Sequence, residues 1–309
     1  GMALMKKRDR LFVATNLGPA VLCFLVIFAY PLLRTILMSF YKIPAMSSPM
    51  SQWEFVGLDN YTAMFGTSLF LTSLKNIFRI WLVGGVLTLG MALSYAVILS
   101  SGVKGKSFWR SAIYLPNTVN AVALSTMWTQ YVFNIKYGLS KTLFTSLGLT
   151  ALAKINWTSP VYLFWGMLIS YALGSLGYFM LIFLAGIERI PKDIYESATL
   201  DGANAWVRFW SLTFPLIRDV TRTAVTLWTI GAVNFFTWAK MFSAQISATT
   251  VTPVYYLYDQ IFGAGNKAGV GGGTTDVGGG AAIGVTIAVI VLLAYFVLNH
   301  LMKKEAYEY

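Results

Sequence analysis

The chain has 309 residues, of which 57% are apolar and 11% charged, against roughly 45–50% and 25% in soluble domains. A water-soluble core has no room for that many apolar side chains, so lipid has to be part of the solvent. The formal charge of +11 does not point to nucleic acid, because Lys and Arg stand at the ends of apolar runs, a membrane pattern. The single cysteine, Cys23, excludes a disulfide framework or a cysteine metal site. Gly1–Met2 reads as an expression scar ahead of a second plausible start.

Six apolar runs follow in order, near Leu11–Phe40, Ile77–Leu99, Phe108–Phe133, Val161–Ile187, Leu216–Phe242 and Ala281–Met302. Each reaches the roughly 20 residues that a helix needs to cross a bilayer core. Backbone groups in lipid must be satisfied within their own segment, and no short alternating strands suggest a barrel. The prediction is an all-α integral membrane protein with six transmembrane helices. The first run is too long for a cleaved signal and continues into "YPLLRTILMSF" without a small-residue cleavage site.

Basic residues set the orientation. Lys6, Lys7, Arg8 and Arg10 precede the first run, and Lys104, Lys106 and Arg110 follow the second. Arg189, Lys192, Arg208, Arg218 and Arg222 surround the fourth connection, and Lys303 and Lys304 close the chain. The positive-inside rule puts that side, with both termini, in the cytoplasm. Residues 1–10 and 303–309 are then cytoplasmic ends, and 11–302 the membrane domain.

The first two outer connections mix aromatic and polar residues, as interfacial or short amphipathic segments do. The third, "GAGNKAGVGGGTTDVGGG", is rich in glycine and reads as a flexible connector or as a contact for a partner. Asn60 and Asn156 begin sequon triplets, which are frequent by chance.

None of the twelve acids falls in the middle of a run, and the single histidine, His300, lies at the end of the last. An ion-coupled carrier would keep an acid inside the membrane, so energy is expected from elsewhere. "SSGVKGKS" ends like a phosphate-binding loop but has Ser100 where a glycine is needed, and an apolar run where a strand is needed. It reads as a basic hairpin. One histidine and one cysteine cannot assemble a catalytic triad or a metal centre.

Between the fourth and fifth runs stands "PKDIYESATLDGANAWVRFWSLTFP", residues 191–215. Asp193 and Glu196 suit the first turns of a helix, Gly202 suits its stop, and a second helix carries Trp206, Phe209, Trp210 and Thr213 at helical spacing, able to lie on the membrane or on span ends. From the residues alone, this hairpin either enters a cleft on a partner or packs on its own bundle.

The spacing resembles the cytoplasmic "EAA" loop in the membrane subunits of binding-protein-dependent ABC importers. Glu196, Ser197 and Ala198 stand for E-A-A, Gly202 follows after three residues, and Leu212, Phe214 and Pro215 close the pattern. "GIERIPKDIYESATLDGA" is similar to the carbohydrate-uptake branch, and to the larger membrane subunit of maltose-type transporters. "YPLLRTILMSFY", "FVGLDNYTAMF", "SLKNIF" and "FWRSAIYLP" extend the resemblance over most of the chain.

The resemblance implies the type I importer transmembrane fold in a prokaryotic cell membrane. It implies a second, homologous permease, two cytoplasmic ATPase domains that hold ATP and Mg, and an extracytoplasmic solute-binding protein. It implies that the loop 189–215 couples to the ATPase through Glu196, Ser197, Ala198, Leu200, Asp201, Gly202 and Pro215.

Sugars stack on aromatic rings and take a few polar partners. The fourth run offers Tyr171, Gly174, Ser175 and Tyr178 on one face, and the fifth Trp228, Gly231, Ala232 and Phe235, with Asn234 nearby. The resemblance places substrate contacts on these two spans; packing between helices is the other reading of the same faces. Asn117 and Asn120, beside Pro116, either line the path or satisfy backbone freed by the proline. Gly280, Gly284 and Ala288 form a strip suited to helix packing.

The function expected is translocation of a sugar or oligosaccharide by alternating access, driven by a partner ATPase, with no catalytic residue in this chain. The alternatives are import of a glycerol phosphoester, which would favour basic residues in the path, and an ion-coupled secondary carrier.

Overall fold

Leu163–Ile187 is apolar on every face, and such a helix has to be covered on all sides. In the computed structural model, which describes residues 7–263 and 276–301, it is the core of its unit, with buried residues recurring from Phe164 to Ile187. The basic residues at positions 6, 303 and 304 and most of the glycine-rich connection lie outside the described residues. The chain divides into two units, residues 1–67 with 257–286 and residues 68–256 with 287–309.

In the first unit, residues 7–38 are helical throughout, with one π turn at Leu25–Ala29. No residue of Thr15–Met38 is buried. Tyr41–Lys42 then pairs antiparallel with Glu54–Phe55. The Asn60 amide donates to the carbonyls of Ser39 and Tyr41 at 2.8 and 3.0 Å, so the first sequon asparagine is engaged in holding this turn. Gly280 and Gly284 face Ile261 and Leu257, the packing role expected of that strip, whereas its third member, Ala288, is exposed.

Among the described residues, four helices are long and apolar enough to cross a membrane: Thr15–Met38, Ser68–Ser100, Leu163–Ile187 and Val277–His300. The helix Ser68–Ser100 starts nine residues before the apolar run does, because Phe70, Ser73 and Asn76 give the added turns a buried face. Asn76, 3% exposed, donates through its amide to the carbonyls of Ala248 and Val251 at 2.9 and 3.0 Å. Asn76→Asp is expected to cost about 1–3 kcal/mol, the penalty for leaving buried carbonyls without a donor. Thermal unfolding of the solubilised chain, with proteolysis of the 243–252 segment, is the check; an unchanged melting temperature would contradict it.

The third and fifth runs differ from the single helices expected. In the third, Lys106–Tyr114 passes into a 3-10 turn at Leu115–Thr118, because Pro116 lacks an N–H and its ring clashes with the preceding turn. Asn120 then caps a new helix, its side-chain oxygen accepting from the Val122 N–H at 2.8 Å. Of the two roles open to the asparagines, Asn120 thus takes the backbone one, while the Asn117 amide nitrogen is buried without a partner. In the fifth, Arg218–Val233 ends at Asn234 and helix resumes at Thr237–Phe242. The Phe235 carbonyl at this break accepts from the buried Thr252 hydroxyl at 2.8 Å.

The segment Ser100–Ser107 runs from the end of one helix to the start of the next through a turn at 101–105, with Gly102 and Gly105 at φ +87° and +74°. No strand precedes it, and Lys106 pairs with Glu188 at the end of the central helix.

Candidate functional site

The two predicted faces meet where the central helix crosses the fifth run. Tyr171 lies with its ring 5.5 Å from that of Trp228, 4.7 Å from Phe235 and 5.7 Å from Trp238, the last two edge-on. These tilted and edge geometries are the favourable ones for aromatic pairs. Gly174 admits Leu124 and Trp238 side by side, and Gly231 leaves space for the Tyr171 hydroxyl. Ala232 is fully buried, and Trp228 and Phe235 are each 2% exposed.

Trp228 is tied to the second span by a reciprocal pair of bonds. Its Nε1 donates to the Trp81 carbonyl at 2.8 Å, and Trp81 Nε1 donates to the Thr229 hydroxyl at 2.9 Å. Trp81 sits in a π turn, Ile80–Gly84. A Cβ on Gly84 would stand 3.0 Å from the Trp228 ring, and one on Gly85 2.7 Å from its Nε1. Two adjacent glycines are therefore what admits the indole. Sequence reasoning missed Trp81, Gly84 and Gly85; a Gly-Gly pair inside an apolar span was the available signal for close helix approach.

The remaining predicted residues fall outside this packed centre. Ser175 donates back to the Tyr171 carbonyl at 2.8 Å. Tyr178 is 40% exposed and Asn234 is exposed, its amide donating to the Ile230 carbonyl at 3.2 Å. Beside Tyr178, Gly177 lets the central helix touch the backbone of Ile113 and Tyr114 at the break in the third run. The nine positions carry no charged side chain. They offer aromatic rings, the hydroxyls of Tyr171, Ser175 and Tyr178, and the Asn234 amide. Two clefts lie elsewhere, one of about 340 Å³ at Arg110, Tyr114 and Glu188 and one of about 360 Å³ at Asp219, Arg222 and Tyr295; neither contains any of the nine.

The hairpin is a second site. Lys192–Leu200 is helical after Pro191, and Gly202 stands at φ +80°, a conformation that residues with a β-carbon adopt at a cost. Asn204 caps the next helix through the Val207 N–H at 2.9 Å, and helix runs with one π turn to Leu216. Tyr195 and Thr213 join their hydroxyls at 2.9 Å, and Arg208 donates to the Thr199 hydroxyl at 3.0 Å. These bonds fix the two helices to each other. Glu196, Ser197 and Asp201 are exposed, Leu200 is 90% exposed, and Ala198 and Pro215 are half-buried.

The family described as the binding-protein-dependent transport system inner membrane component matches residues 20–306. An arabinooligosaccharides transport system permease protein of Bacillus subtilis (strain 168) is 29% identical over 285 residues, covering 89% of this chain and 83% of the relative. Its counterpart of the same description in Halalkalibacterium halodurans is 30% identical over 306 residues, covering 93% and 89%. A trehalose/maltose transport system permease protein of Thermococcus litoralis is 29% identical, covering 77% and 76%. Among solved structures, a bacterial alginate ABC transporter in complex with its alginate pentasaccharide-bound periplasmic protein matches with a TM-score of 0.77. That match is 20% identical and covers 96% of this chain and 95% of the other.

Proposed function

The chain belongs to the inner membrane components of binding-protein-dependent transport systems, and on that premise we propose that it is the permease subunit of an ATP-driven importer for a neutral sugar or oligosaccharide. The observation that carries the sugar reading is the full-length similarity to permeases for arabinooligosaccharides and for trehalose/maltose. The uncharged character of the two faces supports it over a glycerol phosphoester, and the lack of an acid in the middle of any run supports it over an ion-coupled carrier.

In this reading six segments span the membrane, the third and fifth broken near their middles, with both termini in the cytoplasm. A second permease completes the path, and of two ATPase domains, holding ATP and Mg, one receives the hairpin in a groove through Glu196, Ser197, Ala198, Leu200 and Asp201. An extracytoplasmic binding protein delivers the sugar. Broken spans suit such a path, since unwound backbone inside a membrane is stable only where protein or a polar cavity satisfies it.

Purification of this chain from its native membrane is expected to bring with it a second permease and an ATPase subunit. ATP hydrolysis by the reconstituted complex should rise several-fold with the binding protein loaded with saccharide. A preparation that reconstitutes sugar uptake without any ATPase would overturn the proposal. Within the path, Tyr178 and Asn234 are the accessible members of the two faces. Tyr178→Ala is expected to weaken half-saturation of uptake about tenfold, from loss of roughly 1 kcal/mol of ring stacking and a hydroxyl partner, with the folded yield unchanged.

A further inference from the structure

A surface helix ordinarily turns its apolar side inward; residues 205–216 do so with Phe209, Leu212 and Leu216, which are part-buried, but carry a second, outward aromatic face as well. Thr213, 5% exposed, is on the inner side, bonded to the Tyr195 hydroxyl. Trp206, Trp210 and Phe214 are 70%, 48% and 37% exposed. They recur every fourth residue, so they share one face, with ring centroids 5.7 and 5.4 Å apart in succession. Charge divides across the hairpin. Asp193, Glu196 and Asp201 belong to the first helix and its end, whereas no acid stands between Asp201 and Asp219, and two basic residues accompany the aromatic stripe, Arg208 between Trp206 and Trp210 and Arg218 after Phe214.

The regular helix stops at Ile217, at φ −94° and ψ 16°, and Arg218 starts the long helix of the fifth run. The aromatic segment is therefore a separate element placed where that run leaves the membrane. Standing upright there, its twelve residues would carry Trp206 about 15–18 Å into water, with both indoles exposed. Lying in the boundary, the indoles meet the headgroup level that tryptophan favours, and the arginines meet anionic phosphates.

We propose that residues 205–216 are a lipid-contact helix of the cytoplasmic leaflet. Trp206, Trp210 and Phe214 sit at the acyl boundary, with Arg208 and Arg218 among anionic headgroups. The bonds Tyr195–Thr213 and Arg208–Thr199 then make the lipid surface the support that sets the height of the docking helix Lys192–Leu200. The leaflet rests on the orientation proposed above; the lipid contact does not.

The test uses the transporter complex reconstituted in vesicles of phosphatidylcholine and phosphatidylglycerol, with Cys23→Ser as background. Trp206→Cys, Trp210→Cys and Leu200→Cys are each labelled with a nitrobenzoxadiazole probe, and quenching by doxyl-labelled lipid is read. Quenching at 206 and 210 is expected to exceed that at 200 several-fold, with or without the ATPase bound. Equal, weak quenching at all three positions, or shielding at 206 and 210 that appears only when the ATPase binds, would overturn the proposal in favour of a protein partner. Because cysteine could disturb the hairpin, Trp206→Phe/Trp210→Phe is compared with Trp206→Ser/Trp210→Ser. Only the serine pair is expected to lose the dependence of ATPase stimulation on phosphatidylglycerol; retention of that dependence by the serine pair would also overturn it. Labelling of Leu200→Cys by a membrane-impermeant maleimide reports sidedness separately. Reaction from the side opposite the ATPase would refute the orientation and leave the quenching to decide the lipid contact.

Discussion

Trp228→Ala is expected to lower the stability of the solubilised chain by about 3 kcal/mol, the low end of the range for deleting a buried tryptophan. The low end applies because helices separated in lipid or detergent gain no water-exposed apolar surface, so the loss is mainly packing. Packing should outweigh the hydrogen bond here. The indole lies between Gly84 and Gly85 on one side and Tyr171 and Phe179 on the other, whereas a single hydrogen bond between membrane helices is worth about 0.6 kcal/mol on average. Trp228→Phe, which keeps a ring but loses the bond to the Trp81 carbonyl, should therefore lie close to the unsubstituted chain. Thermal unfolding of the three proteins decides it: if phenylalanine costs as much as alanine, the polar link to the second span dominates. If instead alanine leaves stability intact and abolishes sugar-stimulated hydrolysis, Trp228 acts on the solute and the packing account is wrong.

Trp228 also shows where the sequence stops being informative. A spacing of three, four and seven residues establishes that Tyr171, Gly174, Ser175 and Tyr178 share a face, and likewise Trp228, Gly231, Ala232 and Phe235. It cannot say whether a shared face looks into open space or onto another helix, because that depends on partners such as Trp81, nearly 150 residues away. The breaks divide in the same way. Pro116 announced trouble in the third run, but a proline can kink or stop a helix. The outcome rests on the Asn120 cap and on the backbone contact that Gly177 allows. At Asn234 no proline or glycine marks the break, and the hydroxyl that satisfies the Phe235 carbonyl comes from Thr252 in a later segment. The first helix of the hairpin, by contrast, was legible almost residue by residue, whereas Thr213, read on the face of Trp206 and Trp210, is turned inward past a π turn. The signals for that first helix are local: Pro191 before it, Gly202 after it, and an acid in the first turn. Lys192–Leu200 formed where those signals put it.

Local signals also make the hairpin the place where a single substitution should separate folding from function. Gly202→Pro is expected to abolish co-purification of the ATPase while leaving thermal unfolding of the spans nearly unchanged. Proline is held near φ −65° and cannot take the +80° found here; it also removes the N–H that donates to the Thr199 carbonyl at 3.1 Å. Gly202→Ala keeps that donor and meets only the left-handed penalty, about 1–2 kcal/mol. It should lower the population of the docked turn roughly 5- to 30-fold and leave a residue of coupled hydrolysis. Glu196→Lys leaves the turn intact and reverses one exposed charge, so it should reduce ATPase stimulation without altering the hairpin's resistance to proteolysis. The three effects differ because one removes the turn, one strains it and one changes only what it presents. If proline and lysine variants both retain ATPase binding and saccharide-stimulated hydrolysis, the first helix of the hairpin is not the docking element.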